Sequence, residues 1–402
     1  MWHSLGVSAS QLGLRATLNS GQVFHWQQHV VKGENALHGM GTVFTGCLKE
    51  TLVVSLRERE ISGHHPEKLS APTIEYCVVY NELHPEESLP ALIRQYFQLS
   101  HPDWLLPSLA VDKKLTESHL SADHALTLSI TDPSVSGHCI VAQDPWECMC
   151  TFILSANNNM PRIKGLVLRL CSTFGKYLCT WEGVDFHAFP SPQKLASLEE
   201  EQLRNMGAGY RSPLLIATAK RWLALEEEHE HAIKLEPGLE QEETKRSATL
   251  NGKWWDPFAL DSTVMDGAHL SPLQISQLQE KREEALKMLE SFAGVGPKVA
   301  ACIALYSLGH THLVPVDVHM RRVSMERYGG TFWVNERPTK TLSRREITLI
   351  QDGYLTHFGL YAGWWQSVLF AGVAVPKAKE PKKIKREKEY SLQKKRKKKD
   401  AV

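Results

Sequence analysis

The feature that most restricts how this chain can fold is the hexapeptide Ala293-Gly294-Val295-Gly296-Pro297-Lys298. It lies between two stretches of helical spacing, Ser271 to Phe292 and Lys298 to Leu308. Two glycines one residue apart permit a tight turn with positive φ. A proline suits the restart of a helix, because its missing N–H would have had no partner there. The region therefore reads as a helix–hairpin–helix spanning about residues 271–308, with bare backbone at Gly294 and Gly296 and N–H groups that can hold a phosphate. Lys298 falls in the first turn of the second helix, where the macrodipole disfavours a cation. A lone carboxylate, Asp317, follows in Val314-Pro315-Val316-Asp317-Val318-His319. If folding joins the two, the amine can act as a nucleophile. The carboxylate can then take its proton or stabilise a developing positive charge. A single lysine after a glycine turn is more often solvated surface; the specificity comes from the combination.

The rest of the chain supplies a frame for this hairpin. Residues 1–125 alternate short β-type runs, such as Thr51 to Leu56 and Ile74 to Tyr80, with Gly, Asn and Pro breaks, which predicts an antiparallel sheet with some helix. After Asp144-Pro145 helical spacing takes over at Trp146 to Leu154, Ile163 to Phe174, Ser197 to Asn205 and Leu214 to Leu225. The expected fold class is α+β: an N-terminal α+β domain over 1–125, helical domains over 126–376 and a basic tail over 377–402. The acidic stretch 226–253 reads as an inserted loop, or as the solvated extension of a helix.

Composition excludes more than it selects. Of the 402 residues 42% are hydrophobic and 23% charged, as in a soluble globular protein. No apolar run is long enough to span a bilayer and the N-terminus has no secretory pattern, so no membrane contact is expected and the protein reads as intracellular. The eight cysteines have neither zinc nor iron–sulfur spacing and are expected to be buried free thiols. The net charge of +1 conceals a tail with 13 Lys/Arg against 4 Asp/Glu, too charged to bury a core. Such a tail is expected to be disordered and suits a nuclear-import signal or a DNA-contact arm.

The hairpin followed by Val-Pro-Val-Asp-Val-His resembles the helix-hairpin-helix-Gly/Pro-Asp superfamily of DNA glycosylases, and within it the eukaryotic 8-oxoguanine DNA glycosylases. The resemblance extends in order through Asn19-Ser-Gly-Gln-Val-Phe-His-Trp26, Gln143-Asp-Pro-Trp-Glu147, Asn157-Asn-Asn159 with Arg162, Gly207-Ala-Gly-Tyr-Arg211 and Tyr361 to Phe370. It implies an N-terminal domain related to the TATA-binding-protein fold, followed by helical domains whose cleft takes a flipped nucleotide. By the same resemblance Lys298 is the nucleophile on the deoxyribose C1′ and Asp317 assists it. The Gly21 carbonyl accepts the N7 hydrogen that only the oxidised base carries. Gln366 reads the Watson–Crick edge, while Cys302 and Phe370 enclose the ring. Asn157, Arg162, Tyr210 and Arg211 engage the orphaned cytosine, Gly294 and Gly296 grip the backbone, and His319 lies near a phosphate.

Taken alone, Cys302 and Phe370 would be core residues, Gly21 an ordinary turn, Gln366 a surface amide and His319 a structural histidine. Asn158 and Asn159 read as turn or cap residues. The chain departs from the family at Ala301 and Val373, where aspartates are expected. The resemblance implies excision of 8-oxoguanine opposite cytosine with strand nicking, by a monomer without cofactor or catalytic metal. Its partners would be damaged duplex DNA and, through the tail, the nuclear import machinery; a mitochondrial pool stays open. Two other readings are a noncatalytic helix-hairpin-helix DNA-binding protein and a glycosylase for another damaged base.

Overall fold

The computed structural model describes residues 1–32, 40–59, 72–82, 88–99, 135–235, 253–260, 270–332 and 341–374. The strands β1 (Trp2–Ser8), β2 (Gln27–Lys32), β3 (Met40–Lys49), β4 (Leu52–Arg59) and β5 (Thr73–Asn81) form one antiparallel sheet in the order β1-β5-β4-β3-β2. Period-two alternation sends Leu52, Val54, Leu56, Ile74 and Tyr76 to one face. There they pack with Leu14 and Leu18 of α1 (Leu14–Leu18) and Ile93 of α2 (Leu89–Tyr96). The expected β-rich N-terminal part and its two named strand runs are present. The boundary expected at 125/126 and the tail 377–402 lie outside the described residues.

The helical part begins where Asp144 caps α3 (Pro145–Ser155), its Oδ1 accepting from Glu147 N at 3.0 Å. Asn159 caps α4 (Met160–Phe174) in the same way, accepting from Arg162 N at 3.1 Å. A ribbon of β6 (Tyr177–Trp181) and β7 (Val184–His187) reaches back to the sheet, burying Leu178 and Phe186 against Cys47 and Val53. Next come α5 (Pro192–Ala196), α6 (Glu200–Met206) and α7 (Ser212–Leu235). Helix α7 runs ten residues beyond the expected end at Leu225, so the start of the acidic stretch is a helix extension rather than a loop. Residues 236–252 lie outside the described residues.

Five further helices follow among the described residues: α8 (Pro272–Glu290), α9 (Pro297–Ser307), α10 (Val318–Phe332), α11 (Arg344–Phe358) and α12 (Ala362–Ala374). Ser271 and Gln274 close a capping box at the start of α8, and buried Arg282 pairs with Asp352 of α11 at 2.8 Å. All eight cysteines are free thiols, seven buried and Cys179 partly exposed. Among the described residues no three His, Cys, Asp or Glu side chains could hold a metal ion, and no helix is long and apolar enough to cross a membrane.

The two large cores meet along the irregular segment 135–143, a turn at 135–137 followed by residues 138–143. Its alternation sends Cys139 and Val141 into the sheet core and Ile140 into the helical core. A second junction is polar. Buried His25 places Nδ1 3.2 Å from Glu147 Oε1 in α3, and Nε2 3.0 Å from the backbone oxygen of His187 at the end of β7. With acceptors at both nitrogens the ring is a double donor, hence an imidazolium. Burial opposes that charge. The interactions with Cys171, Cys47 and Glu147 outweigh it and hold the ring well above its ordinary value. A group raised on folding contributes stability that is fully present below the unfolded value of 6.5 and is lost as pH rises through the folded value. The melting temperature is therefore expected to fall above neutral pH, with a shallower slope in His25→Gln; equal slopes in a pH series of melting curves would refute this role of His25.

Candidate active site

The hairpin between α8 and α9 has the conformation its sequence requires. Gly294 has φ +81°, and a Cβ there would lie 2.9 Å from Leu214 Cδ1, so both conformation and space call for glycine. Val295 is buried as the anchor of the turn, while Gly294 and Gly296 remain exposed. Thr218 Oγ1 of α7 ties the hairpin down by donating to Ala293 O at 3.0 Å. Gly296 is the N-cap residue of α9 and Pro297 its first residue, which leaves Lys298 in the first turn, half-buried.

Lys298 faces inward. Its Nζ stands 5.9 Å from the centre of the Phe152 ring of α3 and lies near Cys302, one turn along α9. Burial pushes that thiol up, Lys298 offsets part of the effect, and Asp317 adds to it. Both the amine and the carboxylate are thus within electrostatic reach of Cys302. Asp317 is half-buried at the N-terminus of α10, where Oδ1 accepts from His319 N and Met320 N, both at 2.9 Å. Oδ2 has no hydrogen-bond partner among the described residues. His319 is exposed, held to Asp317 through its backbone rather than its ring.

The residues expected to read a base lie on two sides. On α12, Gln366 and Phe370 are one turn apart and share a face. Phe370 is partly exposed, whereas Gln366 is buried with its Oε1 unpartnered among the described residues. A buried amide oxygen without a donor costs about 1–3 kcal/mol, a deficit that a ligand's N–H groups would remove. On the other side Gly21 follows α1 with φ +91°, and a Cβ there would meet Met160 Sδ at 2.6 Å. Ala301 is fully buried in the helical core, so this departure from the family sits in an apolar setting. Nothing of the Val373 side chain is described.

The residues expected opposite the lesion divide into exposed and engaged groups. Asn157 (φ +49°) and Arg162 are exposed. Asn158 and Asn159 are structural: Asn158 Nδ2 donates to Leu154 O at 3.0 Å and Asn159 caps α4. Arg211 is buried, with its guanidinium bonded to Ala156 O and Asn157 O and stacked 4.4 Å from the Tyr210 ring. Tyr210 is exposed but its hydroxyl also donates to Ala156 O. Arg211 therefore props the Asn157 turn in this structure, a role the sequence did not indicate. A guanidinium two residues past a glycine gives no sign of which carbonyl it will cap.

Residues 150–351 match the HhH-GPD superfamily of base excision DNA repair proteins, and the chain belongs to that superfamily. Residues 4–149 match the 8-oxoguanine DNA glycosylase N-terminal domain. An N-glycosylase/DNA lyase of Saccharomyces cerevisiae is 29% identical over 91% of this chain and 85% of its own length. The Arabidopsis thaliana N-glycosylase/DNA lyase OGG1 is 27% identical, with 92% and 79% covered. Among solved structures, the Clostridium acetobutylicum 8-oxoguanine glycosylase/lyase bound to DNA aligns with a TM-score of 0.55 at 24% identity, covering 90% of this chain and 92% of that one. The 3-methyladenine DNA-glycosylase of Archaeoglobus fulgidus aligns nearly as well, at 0.52 with 14% identity over 93% of this chain and 97% of its own. The shared fold therefore does not by itself choose the lesion.

Proposed function

We propose that this chain is a bifunctional DNA N-glycosylase and abasic-site lyase that removes 8-oxoguanine opposite cytosine from duplex DNA. The observation that carries the reading is Lys298, an amine placed over Phe152 and beside Cys302 behind a backbone-exposed hairpin, in electrostatic reach of the same thiol as Asp317. The names of the yeast and Arabidopsis relatives support glycosylase and lyase steps in one enzyme. In the reaction the free amine of Lys298 attacks C1′ of a flipped nucleotide. The C1′–N9 bond breaks with its electron pair leaving on the base, and Asp317 stabilises the positive charge that develops at the sugar. Loss of a proton from the nitrogen and opening of the sugar ring give a Schiff base. Removal of a C2′ proton then eliminates the 3′ phosphate and nicks the strand.

Recognition of the base rests on Gly21 and Gln366 in this reading. Gln366 supplies the unpartnered acceptor that the N–H groups on a guanine edge can satisfy. Arg162 and Asn157 are exposed toward an opposite base, and Arg211 joins them by exchanging the Ala156 carbonyl for it. The protein acts as a monomer, and the basic tail is its nuclear address, read by the import machinery. A panel of duplexes with 8-oxoguanine, alkylated purines and undamaged guanine, each opposite all four bases, tests the substrate. Release of 8-oxoguanine opposite cytosine should be fastest. Faster release of an alkylated purine would overturn the reading, as would DNA binding without release of any base.

A further inference from the structure

Contacts from α1, which precedes Gly21, and from α12, which carries Gln366, converge on His138, a residue with no part in the chemistry above. Its ring is buried in segment 135–143, with Nδ1 3.0 Å from Ala16 O and Nε2 2.8 Å from Ser367 Oγ. A carbonyl can only accept, so Nδ1 carries the hydrogen and Nε2 of the neutral ring accepts from the serine hydroxyl. Burial lowers the ring to about 4, which keeps it neutral and the tautomer single at physiological pH. The backbone oxygen of His138 also accepts from Trp364 Nε1 at 2.8 Å. Two bonds therefore land on α12 on either side of Gln366.

The same segment clasps the Gly21 side. Cys139 N donates to Thr17 Oγ1 at 3.0 Å. Gln22, the neighbour of Gly21, is buried and fully used. Its Nε2 donates to Thr17 O and Cys139 O at 3.0 and 2.8 Å, and its Oε1 accepts from Val141 N at 3.0 Å. Its backbone oxygen takes Gln143 Nε2 at 2.7 Å. The Gly21 turn thus hangs from segment 135–143 by backbone and amide bonds, while α12 is joined to it through Trp364 and the His138 ring.

We propose that His138 is a positioning residue that fixes the span between Gly21 and Gln366, and so sets the selectivity for the damaged base. This rests on the reading of Gly21 and Gln366 given above. The pocket must detect one hydrogen on the base, and a hydrogen bond detects it only if the acceptor is placed within a few tenths of an ångström. His138 does this through a rigid planar ring that bonds α1 at one nitrogen and α12 at the other. An alternative route exists, because Ser367 also neighbours Tyr306, whose ring stacks on the Phe152 that lies beneath Lys298. The lyase reaction at a preformed abasic site, which has no base to read, separates the two routes.

The experiment compares His138→Leu, His138→Asn and Ser367→Ala with the unsubstituted full-length chain. Single-turnover release of 8-oxoguanine opposite cytosine is measured beside strand cleavage at a preformed abasic site. The Leu and Ala variants should release the base about tenfold or more slowly, as misplaced substrate-positioning groups do, with abasic-site cleavage unchanged. His138→Asn, which retains a donor and an acceptor, should recover part of the loss. Equal losses in the two reactions would overturn the proposal, as would unchanged base release in both the Leu and Ala variants. If the unsubstituted enzyme cleaves the abasic site and releases no 8-oxoguanine, the substrate reading itself is wrong and this proposal fails with it.

Discussion

Asp317→Asn should slow base release by roughly 10²–10³-fold, the loss that follows removal of one preorganised electrostatic group from a transition state, while the dissociation constant for lesion-containing duplex stays close to that of the native enzyme. The structure explains why this substitution is clean. Asp317 caps α10 by accepting from His319 N and Met320 N. Asparagine is an equally good N-cap residue, so it can keep both bonds and the fold while removing the charge. What disappears is the carboxylate opposite the developing cation at C1′. Asp317→Ala, by contrast, would also unpair two backbone donors and destabilise the helix by about 1 kcal/mol. Rates from single-turnover quench experiments and affinities from fluorescence anisotropy check the claim. A parallel fall in both would show a folding defect instead.

Lys298→Gln should lose base release and strand nicking together, yet still bind the duplex. The amide is similar in length and uncharged, and Lys298 is half-buried at a helix start, so little stability should depend on it. With no amine available, neither displacement of the base nor a Schiff base can follow. Retained base release without nicking would mean that water is the nucleophile, with Asp317 as its activator. Electrophoresis of the reaction products with and without alkali distinguishes the two outcomes, because alkali cuts the abasic strand that a purely hydrolytic enzyme would leave.

Much of this centre was legible in the sequence because its parts are local and chemically marked. Glycines at 294 and 296 and the proline at 297 fix a turn and a helix start within a few residues, and the position of Lys298 follows from them. Asp317 was equally visible as a residue, but its second role as the cap of α10 depends on a helix the spacing did not reveal. That helix contains Gly329 and Gly330, which weaken a helical signal. Helix α12 escaped for the opposite reason. Its sequence AGWWQSVLFAGVA is apolar on nearly every side, with residues 362–369 buried, and periodicity needs a polar face to be seen.

Long-range polar contacts were the least legible. His138 and Ser367 are 229 positions apart, and a lone histidine beside a glycine gives no hint of its partner. The resemblance led to Arg211 as an expected DNA contact, whereas its place as the buried prop of the Asn157 turn had no signal in the sequence. The acidic run after Leu225 showed the competition between charge and helix propensity. Glutamate and alanine favour a helix, and α7 continues to Leu235 where charge density alone argued for a loop.

The central claim is that the attacking group is the Lys298 amine, and it is tested most directly by locating the covalent bond. The native enzyme should be incubated with an 8-oxoguanine:cytosine duplex in borohydride, which reduces the Schiff base to a stable secondary amine, and the trapped peptide sequenced by mass spectrometry. The account predicts one adduct, on Lys298 at the start of α9, absent in Lys298→Gln. An adduct on the N-terminal amine or on another lysine, or the same yield from Lys298→Gln, would contradict it.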